Sequence, residues 1–255
     1  MWLAWGDRVR PPVGVAMNRT FRVITYNIRK GKGSSGAQNV TMCALGDALA
    51  PHAADLVLCQ EVFHAADGSV LQTGELADAL SFEGYYGANK FRKVGDHGNS
   101  TFSRRAAREH RNHDISTNPI ERRGVLHARF EVDGRTLHVF NAHLGLNGYQ
   151  RRAQVKQIDT IVQTQCGDDD PVLLAGDFND WRGELDRHVV EDLGLHNIFH
   201  QHEREDILTW PAQRPMLNLD RIYVRNIDCR DAGRLHGDPW SILSDHLPLW
   251  ADLEL

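Results

Sequence analysis

Short runs of β-branched and aromatic residues recur through the 255-residue chain, and turn-forming or polar residues bound each run. Runs of this kind are typical of β-strands. Among the predicted strands are FRVITYNI at 21–28, LVLCQ at 56–60, VLLA at 172–175 and LPLWADLEL at 247–255. We expect the LVLCQ strand to end at Glu61. The strands therefore point to a fold built on β-sheets.

Apolar residues also recur at helical spacing, which predicts amphipathic helices at about 39–50, 74–80 and 148–165. Between the last two, the segments GYYGANK, GNSTFS, GVLHARFEV and RTLHVFNAHL are expected to form a meander within one sheet. Strands and helices alternate in both halves of the chain. This order predicts an α/β fold of two face-to-face sheets with helices outside. Residues 1–16 are expected to be an accessory N-terminal extension, and 17–255 a single domain.

Composition narrows the classes of protein that fit. No apolar run approaches the ~18 residues that a membrane span needs, and residues 1–14 lack the pattern of a signal peptide, so a cytoplasmic location is expected. The net charge of −5 offers no general attraction to nucleic acid or to an anionic membrane. Arginines do cluster at 104–111, 122–123 and 151–152, and they would form a positive rim if they met at one site.

Cysteine carries no recognisable chemistry here. The four cysteines are widely spaced and form no C-x-x-C motif, so free thiols in the core are favoured over a zinc site or a disulfide framework. They are Cys43, Cys59, Cys166 and Cys229.

Acidic, amide and imidazole residues flank many of the predicted strands: Asn27, Glu61, Asn141, His143, Asp177, Asn179, Asp220, Asp245 and His246. One polar residue at a strand end is ordinarily a turn residue, but the ends of neighbouring strands meet at one sheet edge. Oxygen ligands without cysteine favour Mg²⁺ or Mn²⁺. An imidazole beside a carboxylate suits phosphate binding or proton transfer. The pattern predicts a metal and phosphate site at one edge.

These residues lie in motifs that resemble the endonuclease/exonuclease/phosphatase superfamily, in its deoxyribonuclease- and sphingomyelinase-like bacterial branch. In chain order the motifs are TYNIRKG, LCQEV, HGNSTFSR, AHLG, AGDFND, LDRIYV and SDHLPL. The resemblance runs from Asn27 to the C-terminus, and GDFN followed by SDH is its most specific part. It implies a four-layered α/β/β/α sandwich of two mixed β-sheets. It also implies a Mg²⁺-dependent hydrolase of phosphoric ester bonds, with Mn²⁺ as an alternative ion.

The resemblance also implies a role for each residue that it covers. Glu61 would be the central metal ligand, with Asn27 beside it and Asp245 near the same ion. Asp177 would orient or deprotonate the attacking water. Asn179 would help to hold that water and the phosphate.

The histidines have implied roles of their own. His246, paired with Asp220, would bind the scissile phosphate and stabilise its developing charge. His143 matches the second histidine of the deoxyribonuclease and sphingomyelinase members. The remaining side chains predicted to contact phosphate or substrate are Asn99, Asn141, Lys30 and Trp181.

Other interpretations stay open or are disfavoured. GKGSSG at 31–36 fits the dinucleotide-binding pattern G-x-G-x-x-G, but that motif alone has low specificity. A nuclease acting on DNA or RNA is slightly preferred, with a phospholipid or inositol-phosphate phosphodiesterase or phosphatase as the alternative. A catalytically silent binding protein is disfavoured because Glu61, Asp177 and His246 are all present. The sequence indicates no protein partner.

Overall fold

The computed structural model describes residues 20–201 and 207–255. Its strands are β1 (Thr20–Asn27), β2 (Leu56–Ala65), β3 (Glu83–Arg92), β4 (Gly95–Ser103), β5 (Glu109–Asp114), β6 (Gly124–Val132), β7 (Arg135–His143), β8 (Val172–Asp177), β9 (His196–Asn197), β10 (Asp220–Arg225), β11 (Asp228–Arg234) and β12 (Leu249–Glu254). Its α-helices are α1 (Met42–Leu49), α2 (Gln72–Leu80), α3 (Gly148–Gln165), α4 (Glu184–Leu193), α5 (Ile198–Gln201) and α6 (Trp240–Leu243). Short 3-10 helices cover Arg29–Gly31 and Ala50–His52.

The described strands form two six-stranded sheets. Sheet I has the order β11-β12-β1-β2-β4-β3, and sheet II has the order β5-β6-β7-β8-β10-β9. Each sheet is mixed, because β1 pairs with β2 and β7 pairs with β8 in parallel, whereas the other pairs are antiparallel. In each sheet the two central parallel strands therefore end at the same edge, and the ends of β1 and β8 meet where Asn27 contacts Asp177.

The period-2 pattern of the central strands determines which side chains lie between the sheets. Val23 of β1 and Leu173 of β8 belong to the core between sheets I and II. Their neighbours Ile24 and Leu174 face outward, where Leu174 packs in one cluster with Ile158 of α3. Each such buried aliphatic side chain contributes about 1.5–3 kcal/mol to folding. The predicted α/β/β/α sandwich is confirmed.

Local chemistry explains where two of the helices begin. The Thr41 Oγ1 accepts a hydrogen bond of 3.2 Å from Ala44 N at the start of α1. At the start of α3, Asn147 Oδ1 accepts one of 2.8 Å from Tyr149 N. Side-chain oxygens at this position satisfy amides that the first helical turn leaves free. The predicted helix 148–165 is confirmed at both ends.

Two predictions about strands were wrong. The region from 84 to 144 is not a meander in one sheet, because β3 and β4 join sheet I beside β2 while β6 and β7 join sheet II. The all-polar segment EHRNHD forms β5 at the edge of sheet II, and its lack of apolar alternation hid it. Strand β2 does not end at Glu61 but continues to Ala65, with a bulge between Cys59 and Val62.

Three further expectations concern the N-terminal residues, the cysteines and membrane-spanning helices. The accessory role of residues 1–16 falls outside the described residues and stays a prediction. Within residues 20–201 and 207–255 none of the four cysteines forms a disulfide, but Cys43 is exposed, so it is not a core thiol. Within 20–201 and 207–255, no helix combines the length and apolar character that crossing a membrane requires.

Candidate active site

Three neighbouring strands of sheet II place three polar side chains side by side. In the parallel pairing of β7 with β8, His143 lies opposite Asp177, and in the antiparallel pairing of β8 with β10, Asp220 lies opposite the same residue. Close approach of β8 to β7 requires a residue without a side chain just before Asp177, since a Cβ on Gly176 would lie 1.9 Å from the carbonyl oxygen of Ala142. The glycine of the AGDFND motif thus allows the sheet to position the carboxylate.

Sheet I supplies the opposite wall of a cleft whose volume is about 420 Å³. Eight of the predicted site residues line it: Asn27, Lys30, Glu61, His143, Asp177, Asn179, Asp245 and His246. Asp220, at the start of β10 in sheet II, is not part of the lining, but its Oδ2 is 2.9 Å from Nδ1 of His246. The structure therefore brings together nine of the twelve predicted residues from distant parts of the chain.

Asp177 is buried at the centre of this group. Its Oδ2 accepts a hydrogen bond of 2.9 Å from Asn27 Nδ2, and its Oδ1 accepts one of 2.9 Å from the backbone N–H of Asn179. The Nε2 atoms of His143 and His246 lie 3.4 and 3.7 Å from Oδ2. Burial raises the pKa of Asp177 to about 6, although the charge on His246 opposes the shift. A carboxylate with this pKa can accept a proton near neutral pH.

His246 is held as a cation. Burial disfavours its charge, but Asp220 and then Asp177 outweigh burial and raise the pKa of His246 to about 10. Asp220 is itself oriented, since its Oδ2 accepts a 2.6 Å hydrogen bond from Thr209 Oγ1. With Nδ1 bonded to Asp220, the protonated ring directs Nε2–H toward Asp177 and the cleft. A buried imidazolium at this place can neutralise charge that develops on a phosphate.

His143 differs from His246 although both rings are buried beside Asp177. Burial, together with the charges of Arg123 and His246, lowers the pKa of His143 well below its usual value. The ring is therefore neutral at pH 7. A neutral imidazole can donate one hydrogen bond and accept another, but it adds no charge to the site.

The carboxylates of Glu61 and Asp245 are the acidic side chains on the sheet I wall. Glu61 lies at the bulge of β2 with φ of 54°, and it forms an ion pair with the ammonium of Lys30. Burial favours the neutral acid, but Lys30 reverses this effect and lowers the pKa of Glu61. Asp245 Oδ2 lies 3.3 Å from Arg29 Nε. Each of the two acidic side chains is therefore paired with a basic side chain.

This donor set fits a hard divalent cation. Two carboxylates and the amide oxygen of Asn27 line one cleft without cysteine, which suits Mg²⁺ or Mn²⁺ with several retained waters. Asn27 Oδ1 already accepts a 3.0 Å hydrogen bond from Arg29 N, which leaves it one free lone pair. Ligand atoms of Asp177, Asp220 and His246 also cluster within 4.8 Å. That cluster is a poorer metal site, because its imidazole is protonated and a histidine must be neutral to bind a metal.

Three predicted substrate residues do not reach the cleft. Asn141 lies fully buried between the sheets, where its Nδ2 donates to carbonyls of sheet I and its Oδ1 accepts from Gln60 Nε2 at 2.9 Å. Asn99 is buried too, and its Nδ2 donates to the carbonyl oxygen of Asn141 at 3.0 Å. Trp181 is 54% exposed, outside the cleft lining, with the Arg182 guanidinium 4.9 Å from its ring centroid. Asn99 and Asn141 thus link the two sheets.

Among the cleft residues that the sequence analysis missed is Arg29, which contacts Asp245. The signal was present in the basic run RKGK directly after β1. Its backbone has φ of 47°, and its guanidinium donates to the carbonyl oxygens of Gly33 and Ser34. Such a turn cannot be read from residue types alone.

The chain is similar to known proteins in sequence and in fold. Residues 24–246 match the Endonuclease/Exonuclease/phosphatase family. The uncharacterized protein YbhP of Escherichia coli K12 is 36% identical over 247 residues, which cover 92% of this chain and 97% of YbhP. A structure of D. rerio TDP2 complexed with single strand DNA product has a TM-score of 0.69 at 18% identity and covers 92% of this chain and 99% of its own.

A second similar structure is the mannosyl-6-phosphatase Bt3783 of Bacteroides thetaiotaomicron, with a TM-score of 0.72 at 18% identity. It covers 92% of this chain and 100% of its own. At these identities the two structures demonstrate a shared fold only. The family match and the relative together show that this chain belongs to the endonuclease/exonuclease/phosphatase family, whose members generally hydrolyse phosphoester bonds.

Proposed function

We propose that this protein is a divalent-metal-dependent phosphoesterase that hydrolyses its substrate by in-line attack of water. The observation that carries the proposal is the arrangement of two kinds of charge across one cleft. A buried line of Asp220, His246 and Asp177 faces the carboxylates of Glu61 and Asp245. A base, a cation for phosphate and a set of oxygen ligands are thus available within one cavity.

Asp177 is the proposed base. It accepts the proton of the attacking water as the oxygen of that water bonds to phosphorus and the bond to the leaving oxygen breaks. Asn27 and the backbone of Asn179 hold its carboxylate in place. Asn179 is fixed in turn, because its Nδ2 donates to the carbonyl oxygen of Leu144 at 2.9 Å. No covalent enzyme intermediate is required.

His246 donates a hydrogen bond from Nε2 to a phosphate oxygen and keeps its proton through its contact with Asp220. Glu61, Asp245 and Asn27 would hold Mg²⁺, or alternatively Mn²⁺, and the bound ion supplies further neutralisation of phosphate charge. Lys30 lies on the same wall and adds a cation. His143 contributes a neutral hydrogen-bonding group beside the base.

A nuclease-like substrate, DNA or RNA, is our preferred assignment. The cationic side chains of Lys30, Lys32 and Arg123 line the cleft, and they suit a substrate with more negative charge than a single ester. The TDP2 structure holds a DNA product on the same fold. The alternative is an inositol phosphate or a phospholipid headgroup, whose phosphates would meet the same cations. A cytoplasmic location stays a prediction.

The test is hydrolysis by the purified protein of plasmid DNA, RNA, inositol phosphates, phospholipids and a generic phosphodiester. Each is assayed with Mg²⁺, with Mn²⁺ and with a chelator. We expect turnover with metal and none with the chelator. Glu61→Gln and Asp177→Asn should each lower turnover on the order of a hundredfold to a thousandfold. Binding of Mn²⁺, followed by electron paramagnetic resonance, should weaken in Glu61→Gln.

Asp47→Asn is the matched control, because Asp47 is an exposed carboxylate on α1 outside the cleft. It should behave like the wild-type protein in every assay. Hydrolysis that persists in the chelator, or full turnover in folded Asp177→Asn, would contradict the proposal.

A further inference from the structure

A larger groove, of about 770 Å³, opens beside the candidate active site. The two cavities share a wall that includes Lys30, Lys32, Glu61 and Arg123. From this wall the groove extends over the hairpin formed by β3 and β4, to Lys90 and Arg92 on β3 and His97 on β4. A substrate bound at the hydrolytic centre would therefore reach this groove directly.

The charge of the groove is one-sided. Its lining contains five basic side chains, namely Lys30, Lys32, Lys90, Arg92 and Arg123, and a single carboxylate, that of Glu61. Glu61 forms an ion pair with Lys30, and Arg123 forms one of 2.8 Å with Glu121. The remaining positive charge of the groove is that of Lys32, Lys90 and Arg92. This contrasts with the whole chain, whose net charge is −5. A concave surface lined by one sign of charge focuses the electric field on a ligand of the opposite sign.

Several basic residues elsewhere on the surface form ion pairs with carboxylates. Three arginines of the clusters noted in the sequence have such partners: Arg104 with Asp55 (3.7 Å), Arg108 with Glu131 (2.7 Å) and Arg122 with Asp114 (2.9 Å). By contrast, no carboxylate within residues 20–201 and 207–255 forms an ion pair with Lys32, Lys90 or Arg92. These three cations are available to an anion from outside the chain.

The pKa of His97 is affected by the positive charges that line the groove. Burial, together with the charges of Lys30, Lys90 and Arg123, lowers the pKa of His97 to about 4, whereas Glu61 opposes the shift. The cations are therefore close enough to act on one ring. At pH 7 the ring is neutral and presents a hydrogen-bonding group among positive charges.

The loop between the two cavities is held in place by hydrogen bonds. The carbonyl oxygen of Lys30 accepts a 2.9 Å hydrogen bond from Gln72 Nε2 of α2, and that of Lys32 accepts one of 3.1 Å from Gln38 N. The backbone that carries both lysines is thus anchored to the helix layer and to itself. Pre-positioned cations lose less conformational freedom when they bind an anion.

We propose that this groove is a subsite for a second phosphate group on the substrate, with Lys90 and Arg92 as residues that determine specificity. The inference rests on the proposed phosphoesterase function and adds a substrate class to it, that of esters with at least two phosphates. Phe63 and Val70 also line the groove and offer apolar contact to the uncharged part of such a molecule. The second phosphate belongs either to the next nucleotide of a strand or to a multiply phosphorylated small molecule.

The first arm of the test uses two substrates that differ by one phosphate. They are thymidine 5′-(4-nitrophenyl phosphate) and the same compound with a 3′-phosphate. We expect a higher kcat/KM for the second compound. In the double variant Lys90→Ala/Arg92→Ala, kcat/KM for the 3′-phosphorylated compound should fall about tenfold, the scale of lost charge-assisted hydrogen bonds. For the compound that lacks the 3′-phosphate, the change in kcat/KM should stay below about twofold.

Lys93→Ala is the matched control, because Lys93 is exposed at the tip of the same hairpin but does not line the groove. It removes one positive charge from the same segment, where the double variant removes two. It should leave the preference between the two substrates unchanged. An equal loss in Lys93→Ala would show that the effect comes from general charge and would overturn the subsite.

The second arm measures binding without hydrolysis, in the Asp177→Asn background, by isothermal titration calorimetry. One pair of probes is thymidine 5′-phosphate and thymidine 3′,5′-bisphosphate, and the other is inositol 1-phosphate and inositol 1,4-bisphosphate. We expect the bisphosphate of at least one pair to bind about tenfold tighter, with the gain lost in Lys90→Ala/Arg92→Ala. The pair that shows the gain identifies the source of the second phosphate.

The two arms separate the inference from the function on which it rests. If metal-dependent hydrolysis is absent but the bisphosphate preference is present, the proposed function fails and the anion subsite stands. If hydrolysis occurs but neither bisphosphate is preferred, the function stands and the subsite is refuted.

Discussion

Two regions of this molecule bury histidine side chains and leave them in opposite charge states. His246 in the cleft is 6% exposed, and His127 on β6 of sheet II is 4% exposed. The pKa of His246 is raised to about 10 by carboxylates that outweigh burial, whereas burial lowers the pKa of His127 to about 3. His127 contacts the ring of His138, with its Nε2 3.0 Å from Nδ1, and it stacks on Phe140 with 4.1 Å between centroids.

The difference shows that a buried imidazole is neutral unless nearby carboxylates outweigh both burial and the neighbouring positive charges. Asp220 and Asp177 flank His246, and no carboxylate flanks His127 as closely among the residues that the structure describes. His143 completes the series, because it is 3.4 Å from Asp177 and still neutral beside the cations of Arg123 and His246. The cleft therefore holds one charged and one neutral imidazole.

The two histidines should have opposite effects on stability as pH changes. The folded pKa of His246 is raised, so its contribution is fully present below the unfolded pKa of ~6.5 and is lost as pH rises toward about 10. The folded pKa of His127 is depressed, so its contribution is fully present above ~6.5 and is lost as pH falls toward about 3.

The largest effect is expected from His246→Ala. It removes the buried cation that would face the phosphate, so kcat should fall at least about a hundredfold. Steady-state kinetics with Mg²⁺ measures this, and circular dichroism checks that the variant is folded. His127→Gln is the matched control, a buried imidazole outside the cleft, and its kcat should stay within about twofold of wild type. Near-normal turnover in folded His246→Ala would show that the charged histidine of the cleft has no role in catalysis.

A smaller effect is expected from Asp220→Asn, which keeps the ring of His246 in place but removes its closest carboxylate charge. We expect kcat/KM to fall about tenfold to a hundredfold. In wild type, kcat/KM should rise as Asp177 loses its proton near pH 6 and fall as His246 loses its own near pH 10. Asp220→Asn should move the alkaline limb to lower pH. If the alkaline limb of the kcat/KM profile does not move, Asp220 does not raise the pKa of His246.

The smallest effect concerns stability rather than rate. Between pH 7 and pH 5, the wild-type protein should lose about 1–2 kcal/mol more of its free energy of unfolding than His127→Gln does, because unfolding allows His127 to bind a proton. Urea unfolding followed by tryptophan fluorescence at the two pH values measures the difference. Equal losses in the two proteins would show that His127 is not buried in its neutral form.

Much of the fold and of the candidate site could be predicted from residue patterns alone. Runs of apolar, β-branched and aromatic residues locate β1, β2, β8 and β12, and helical spacing locates α3 at both ends. Motifs at strand ends identify Glu61, Asp177 and His246, since neighbouring strand ends must lie close together. Local periodicity and local chemistry are enough for these predictions.

What the tertiary structure decided depends on long-range pairing and burial. The pairing of β4 with β2 assigns the strands between residues 84 and 144 to two different sheets. The contact between those sheets holds Asn141 away from the cleft. The charges of His246 and His143 follow from which groups surround them once water is excluded. Likewise, Lys90 and Arg92 look like ordinary surface residues until folding places them beside Lys30. The sequence by itself specifies the chemical groups, whereas three-dimensional packing determines their neighbours and, through those neighbours, their charge.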